Sequence, residues 1–181
     1  MTYKSFIAWI DSILEEVVNG DKNTMNTPSN SPANAPIIAQ DASNALKLYT
    51  LSKSLLGQHL SLNDAVPWMV GCAEAISKLL VMDGITGIPA QGIEGTAALL
   101  TFLEQSKQFQ EIFSYTQGAI LIATTGTGNG KIRGHVGCCG LNAIMSNNSE
   151  TGKWDTQWNI ARWLAYYGGY GGIKTRYFLP I

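Results

Sequence analysis

The order in which helical and strand-like stretches follow one another constrains this chain most. Up to about residue 105 the apolar residues recur at helical spacing; beyond residue 118 they fall in short runs broken by glycine. Residues 5–18 set Phe6, Trp9, Ile10, Ile13 and Val17 along one face, which predicts an amphipathic helix. Residues 19–40 are rich in Asn, Pro and Ser and read as a linker or extended strap. A second helix is expected over residues 41–57, with Asp41 as N-cap and Gly57 as its stop. A third is expected over residues 71–82 and a fourth over 94–105. The apolar run at 119–123 reads as a buried strand, residues 126–130 as a glycine-rich turn, and residues 135–138 and 143–146 as a hairpin. Residues 155–166 predict a further helix, ended by the glycines of 168–172, and residues 174–179 a closing strand. Helices first and a small antiparallel sheet afterwards make an α+β domain over residues 41–181, with residues 1–40 as an appended segment.

Charge narrows the partners. A net charge of -1, with only 14% charged residues, gives no general attraction to nucleic acid or anionic lipid. No stretch reaches the roughly 18 apolar residues of a membrane span. The N-terminal segment carries Asp11, Glu15 and Glu16 where a secretory signal has an unbroken apolar core, so delivery outside a cell is expected to rely on another route. Three cysteines, two of them adjacent, make a poor disulfide framework, and no Cys/His spacing suggests zinc.

Cys72 is the residue that invites chemistry. It follows Pro67 and Gly71 and opens the third predicted helix. There the free amides and the helix dipole favour thiolate and offer donors to an oxyanion. The plainer account makes Cys72 a small buried apolar residue. His135 strengthens the functional account, because it opens a predicted strand and is one of only two histidines. Asn147 falls across the predicted hairpin, where an amide oxygen can fix the tautomer of an imidazole. Asn147 is equally a turn residue in Asn147-Asn148-Ser149.

Three segments together, Val70-Gly71-Cys72-Ala73-Glu74-Ala75, Gly134-His135-Val136-Gly137 and Ile144-Met145-Ser146-Asn147, resemble the NlpC/P60 and CHAP group of papain-like cysteine hydrolases. The likeness spans residues 42–181 and is nearest to a phage lysin-like branch. The spacing from His135 to Asn147 matches that family, and residues 117–122 stand where the family opens the strand before its histidine. The chain departs from the family in having Gly-Cys-Ala where Asp-Cys-Ser is usual, Asn147 where histidine is frequent, and Ala119 where an acidic residue stands. The resemblance implies a papain-like fold and peptidoglycan hydrolysis, within the stem peptide or at the sugar–peptide amide. Cys72 is then the nucleophile, His135 the base and Asn147 the orienting residue, and no metal or organic cofactor is needed. It also implies a phage-encoded lysin or a virion-associated enzyme acting on the cell wall.

Other residues carry weaker signals. Glu74 stands two residues after Cys72, where it either contacts a substrate amine or caps the helix. Trp68, beside the nucleophile, is a candidate wall of the cleft, and Gly134 a candidate substrate contact. The segment Thr124 to Lys131 lacks the positions of a phosphate loop and reads as a hairpin loop. Trp158 and Trp163 have core spacing, with a carbohydrate platform as the alternative. Competing functions are a non-catalytic virion module on the same scaffold, in which residues 1–40 contact a partner or a second copy, and an acyltransferase.

Overall fold

The structure, a computed structural model, describes residues 35–130 and 132–181, with side chains from Ser43 onward. The helix expected at 5–18 and the strap up to residue 34 lie outside the described residues. Residues Pro36–Ile181 form one compact unit. Among the described residues no helix is long and apolar enough to cross a membrane.

Helix α1 spans Ala35–Ser54 and so starts six residues before Asp41, which lies inside it rather than at its N-cap. Pro36 falls in the first turn, where a missing N–H costs little, and nothing in the following residues breaks a helix. Its buried residues Ala45, Leu48 and Ser52, with Leu55 just past its end, recur at intervals of three and four, one stripe facing inward. Helix α2 spans Cys72–Asp83. Gly84 ends it at φ +96°, and Ile85 N–H closes back onto Leu80 O at 2.9 Å. Helix α3 spans Thr96–Gln105 and buries Leu99 and Leu103.

Six strands follow: β1 (Phe109–Ile112), β2 (Ile120–Ala123), β3 (His135–Cys139), β4 (Ile144–Asn147), β5 (Trp154–Trp158) and β6 (Thr175–Pro180). They form one antiparallel sheet in the order β1-β6-β2-β3-β4-β5. The α+β class therefore holds, with the sheet as a central layer. Alternation along the strands builds two cores. On one face Ile120, Ile122, Val136, Cys138, Met145, Trp154 and Phe178 pack with α1, α2 and α3. On the other, Leu121, Ala123, Cys139, Ile144 and Tyr177 pack with Trp163, Tyr167 and Ile173. Cys138 and Cys139 thus face opposite cores.

Two elements differ from the sequence expectation. Residues 155–158 belong to strand β5, because Trp154 and Trp158 pair with Asn147 and Ile144 across β4. The helix there is only α4 (Ile160–Trp163), capped by the Asn159 side chain accepting from Arg162 N–H. It continues as a π-helix over Leu164–Tyr170, so the glycines at 168 and 169 widen the coil instead of ending it. Strand β1 is a four-residue edge strand with only Phe109 fully buried, too short for a periodic signal. Arg176 of β6 grips Glu111 of β1 with two hydrogen bonds of 2.7 and 2.6 Å and also pairs with Glu104. That clamp holds the Glu111 carboxyl below its ordinary range.

Close packing of α1 onto the sheet depends on Gly118, at φ +83°. A Cβ there would stand 2.0 Å from the carbonyl oxygen of Ala45.

Candidate active site

A cleft of about 500 Å³ runs over one end of the sheet. Its walls come from both sides of the sheet. Met69, Val70, Cys72 and Thr96 arrive from the starts of α2 and α3, and Trp158, Tyr166 and Tyr167 from the aromatic layer. His135 and Asn147, at neighbouring strand ends, lie between them. All three residues of the expected catalytic set therefore open on one cavity.

Cys72 is the first residue of α2 and is 9% exposed. Burial pushes its thiol up to about 11, against the opposing pull of the backbone amides of Ala73 and Val136. The amide of Val136 belongs to the residue after His135, so the sulfur rests against the end of β3. The other two cysteines are buried away from the cleft; burial holds Cys138 at about 12 and Cys139 well above its ordinary value.

His135 opens β3 on the opposite face from α2. Ala123, its partner across β2, packs in the aromatic core, whereas its neighbour Val136 packs in the helical one. Its ring stacks on Trp163 at 5.5 Å and on Tyr167 at 6.1 Å between centroids. Among the described residues no hydrogen bond holds the ring, and none joins it to the sulfur of Cys72. Burial lowers the imidazole from 6.5 to about 4. With the thiol near about 11, both groups are uncharged at neutral pH.

That shift contributes to the acid stability of the fold. The unfolded chain takes up a proton at His135 below about pH 6.5, and the folded chain resists it until about pH 4. The stabilisation is intact above pH 6.5 and is lost as the pH falls towards 4, by about 3–4 kcal/mol in full. Urea melts of the wild type and His135→Gln at pH 7 and pH 4.5 are expected to show the smaller acid loss in the variant. Equal losses would remove His135 as the cause.

Asn147 lies on the helical face, in register with buried Trp154. Its amide donates to Trp68 O at 2.6 Å. This bond secures the 3-10 turn Trp68–Val70, which delivers the chain into Cys72. The amide so acts on the turn before Cys72, not on the imidazole.

The remaining expected residues divide. Gly134 lines the cleft, and a Cβ on it would fall 2.4 Å from Ala123 O and 2.3 Å from Thr125 N, so β3 can start there only as glycine. Glu74 is not at the surface for a substrate: it is 2% exposed. Its carboxylate accepts from Ser61 Oγ at 2.8 Å, Leu62 N at 2.5 Å and Asn63 N, pinning the loop before the Trp68–Val70 turn. Trp68 is 49% exposed and packs over Gly152, and its neighbours Met69 and Val70 line the cleft in its place. Trp158, placed in the core by spacing, stands in the cleft wall because β5 is a strand.

No family model, curated protein or solved structure matches this chain.

The site therefore stands on its own geometry, and two parts of it escaped sequence reading. One is the threonine ladder. Thr125 N–H donates to Thr96 Oγ1 at 3.1 Å and Gly134 N–H to Thr125 Oγ1 at 2.7 Å, tying the start of α3 to the strand ends. The other is the aromatic bed of His135, where Trp163 and Tyr167 stand 4.4 Å apart on the coil that runs on from α4. The local signal for both was faint: isolated threonines, and aromatics in a glycine-rich stretch.

Proposed function

We propose that this protein is a cysteine hydrolase of the papain-like NlpC/P60–CHAP type that cleaves an amide in peptidoglycan, as an endopeptidase or an amidase. One observation carries the reading. A cysteine at a helix N-terminus and a histidine at a strand start open on a single cleft, with the sulfur against the amide next to that histidine. The sequence resemblance around Cys72, His135 and Asn147 supports the choice of substrate, and with it delivery to the wall as a phage lysin or virion-associated enzyme.

The chemistry is acyl transfer. Cys72 Sγ attacks the amide carbon while the neutral imidazole of His135 takes the thiol proton. The amides of Ala73 and Val136 are the donors nearest the oxyanion that forms. His135 then returns the proton to the leaving amine, the C–N bond breaks, and water releases the acyl group as a carboxylic acid. Since both groups rest uncharged, proton transfer accompanies attack, and the ring must turn from its aromatic bed to meet the sulfur.

A non-catalytic binding module is favoured by one specific observation: the ring of His135 is stacked and the amide of Asn147 is committed to Trp68. Mass spectrometry of purified cell walls incubated with the protein separates the two. Hydrolysis releases fragments with new carboxyl and amine ends, whose masses identify the bond cut. Walls left unchanged across Gram-negative and Gram-positive preparations overturn the hydrolase.

A further inference from the structure

Arg133 lines the cleft two residues before His135, is exposed to solvent, and takes no part in acyl transfer. Resting on the hydrolase reading, we infer that Arg133 determines specificity: its guanidinium pairs with a free carboxylate of the stem peptide held in the cleft.

The charge around the cleft is one-sided. Among the described residues that line it, Arg133 alone carries a charge at neutral pH, since the Cys72 thiol and the His135 imidazole rest uncharged. No Asp or Glu lines the cavity, so an ammonium group of a ligand meets no counter-charge there. The other two arginines of the chain are engaged. Arg176 pairs with Glu111 and Glu104, and Arg162 lies over the ring of Trp158, 5.3 Å from its centre. Arg133 has no hydrogen bond, ion pair or ring contact among the described residues.

The backbone beneath it is held on both sides. Gly134 N–H donates to Thr125 Oγ1 at 2.7 Å. Ile132 packs onto Gly171, where an added Cβ would stand 2.2 Å from Ile132 Cδ1. The guanidinium thus springs from a fixed point on the cleft, and ordering it on a ligand costs only side-chain freedom. Its planar fork matches a carboxylate with two parallel N–H···O bonds, a geometry that a carboxamide cannot reproduce. Stem peptides offer such a group, because a γ-linked glutamate keeps its α-carboxylate wherever the wall does not amidate it. The preferred substrate is then the stem with free carboxylates.

Calorimetric titration of the full chain carrying Cys72→Ala, which holds the ligand without turnover, tests this. The probe is a synthetic stem pentapeptide in two forms, one with its carboxylates free and one with all of them amidated. The free form is expected to bind roughly 10-fold more tightly, and the advantage to shrink with added salt. Adding Arg133→Gln should bring the free form down to the amidated one and leave the amidated form unchanged, whereas Arg133→Lys keeps part of the preference. Both variants should melt with their parent, since the side chain is exposed. Equal affinity of the parent for the two forms, no binding of either, or a preference that survives Arg133→Gln overturns the inference. A preference that depends on Arg133 in a protein whose wild type cuts neither form overturns the hydrolase reading instead and leaves the carboxylate subsite standing.

Discussion

Cys72→Ala is expected to clear purified cell walls at least ~10³-fold more slowly than the wild type while melting at nearly the same temperature. The loss is large because nothing else on the cleft replaces the sulfur. Ser149 and Thr125 also line it, but a hydroxyl is a weaker nucleophile than a thiol at neutral pH, and Thr125 Oγ1 already accepts from Gly134 N–H. Cys138 and Cys139 are buried in β3 at the far end from the opening. The fold survives because Cys72 is small and stands at the start of a helix, where alanine keeps the backbone and removes one sulfur. Turbidity clearing and thermal melts on the same preparation check both halves. Clearing by Cys72→Ala at the wild-type rate would falsify the nucleophile.

The second large effect concerns stability. Trp154→Ala is expected to cost about 4 kcal/mol, lowering the melting temperature by roughly 10 °C or more. Trp154 is fully buried in β5 and is one of the largest side chains in the helical core. Its indole N–H donates to Ser52 O at 3.0 Å and Ser52 Oγ at 3.2 Å, joining α1 to the sheet edge. Ser52 also reaches Met145 Sδ at 3.4 Å, so the indole closes a polar node inside an apolar layer. Truncation leaves a cavity and strips both bonds. Trp154→Phe keeps most of the packing and is expected to lose only about 1–2 kcal/mol, isolating the hydrogen bonds. A loss below 1 kcal/mol for the alanine variant would show that the layer collapses to fill the gap. The position faces Asn147 across β4, so wall clearing should fall with stability near the transition.

Much of the scaffold could be read from local pattern. Leu48 with Ser52, and Ile76 with Leu80, stand at helical spacing, the run Ile120 to Ala123 is continuously apolar, and each is found in the element that pattern predicts. Pattern failed where tertiary partners decide. Trp158, Ile160 and Trp163 have helical spacing, but a strand through Trp158 wins because β4 offers it a ladder. Asp41 is a good cap residue, yet the helix continues through it since Ala35 to Gln40 contain nothing to stop it. At the site, the helix-start cysteine and strand-start histidine were visible as sequence positions. Which sheet face each occupies was not, because a shift of one residue in register exchanges the faces. That is why Asn147 was expected beside the ring and lies beside Trp68. Glu74 was misjudged for a related reason: its three donors come from residues 61–63, more than ten positions earlier, and only folding brings them together.

The burial of Cys72 has a consequence for its resistance to oxidation. Peroxide and other oxidants attack thiolate, and a sulfur titrating near about 11 offers almost none at neutral pH. The same enclosure that makes the resting nucleophile sluggish keeps it from turning into sulfenic acid. If the hydrolase reading holds, the sulfur is thereby preserved until His135 takes its proton during attack on a bound amide.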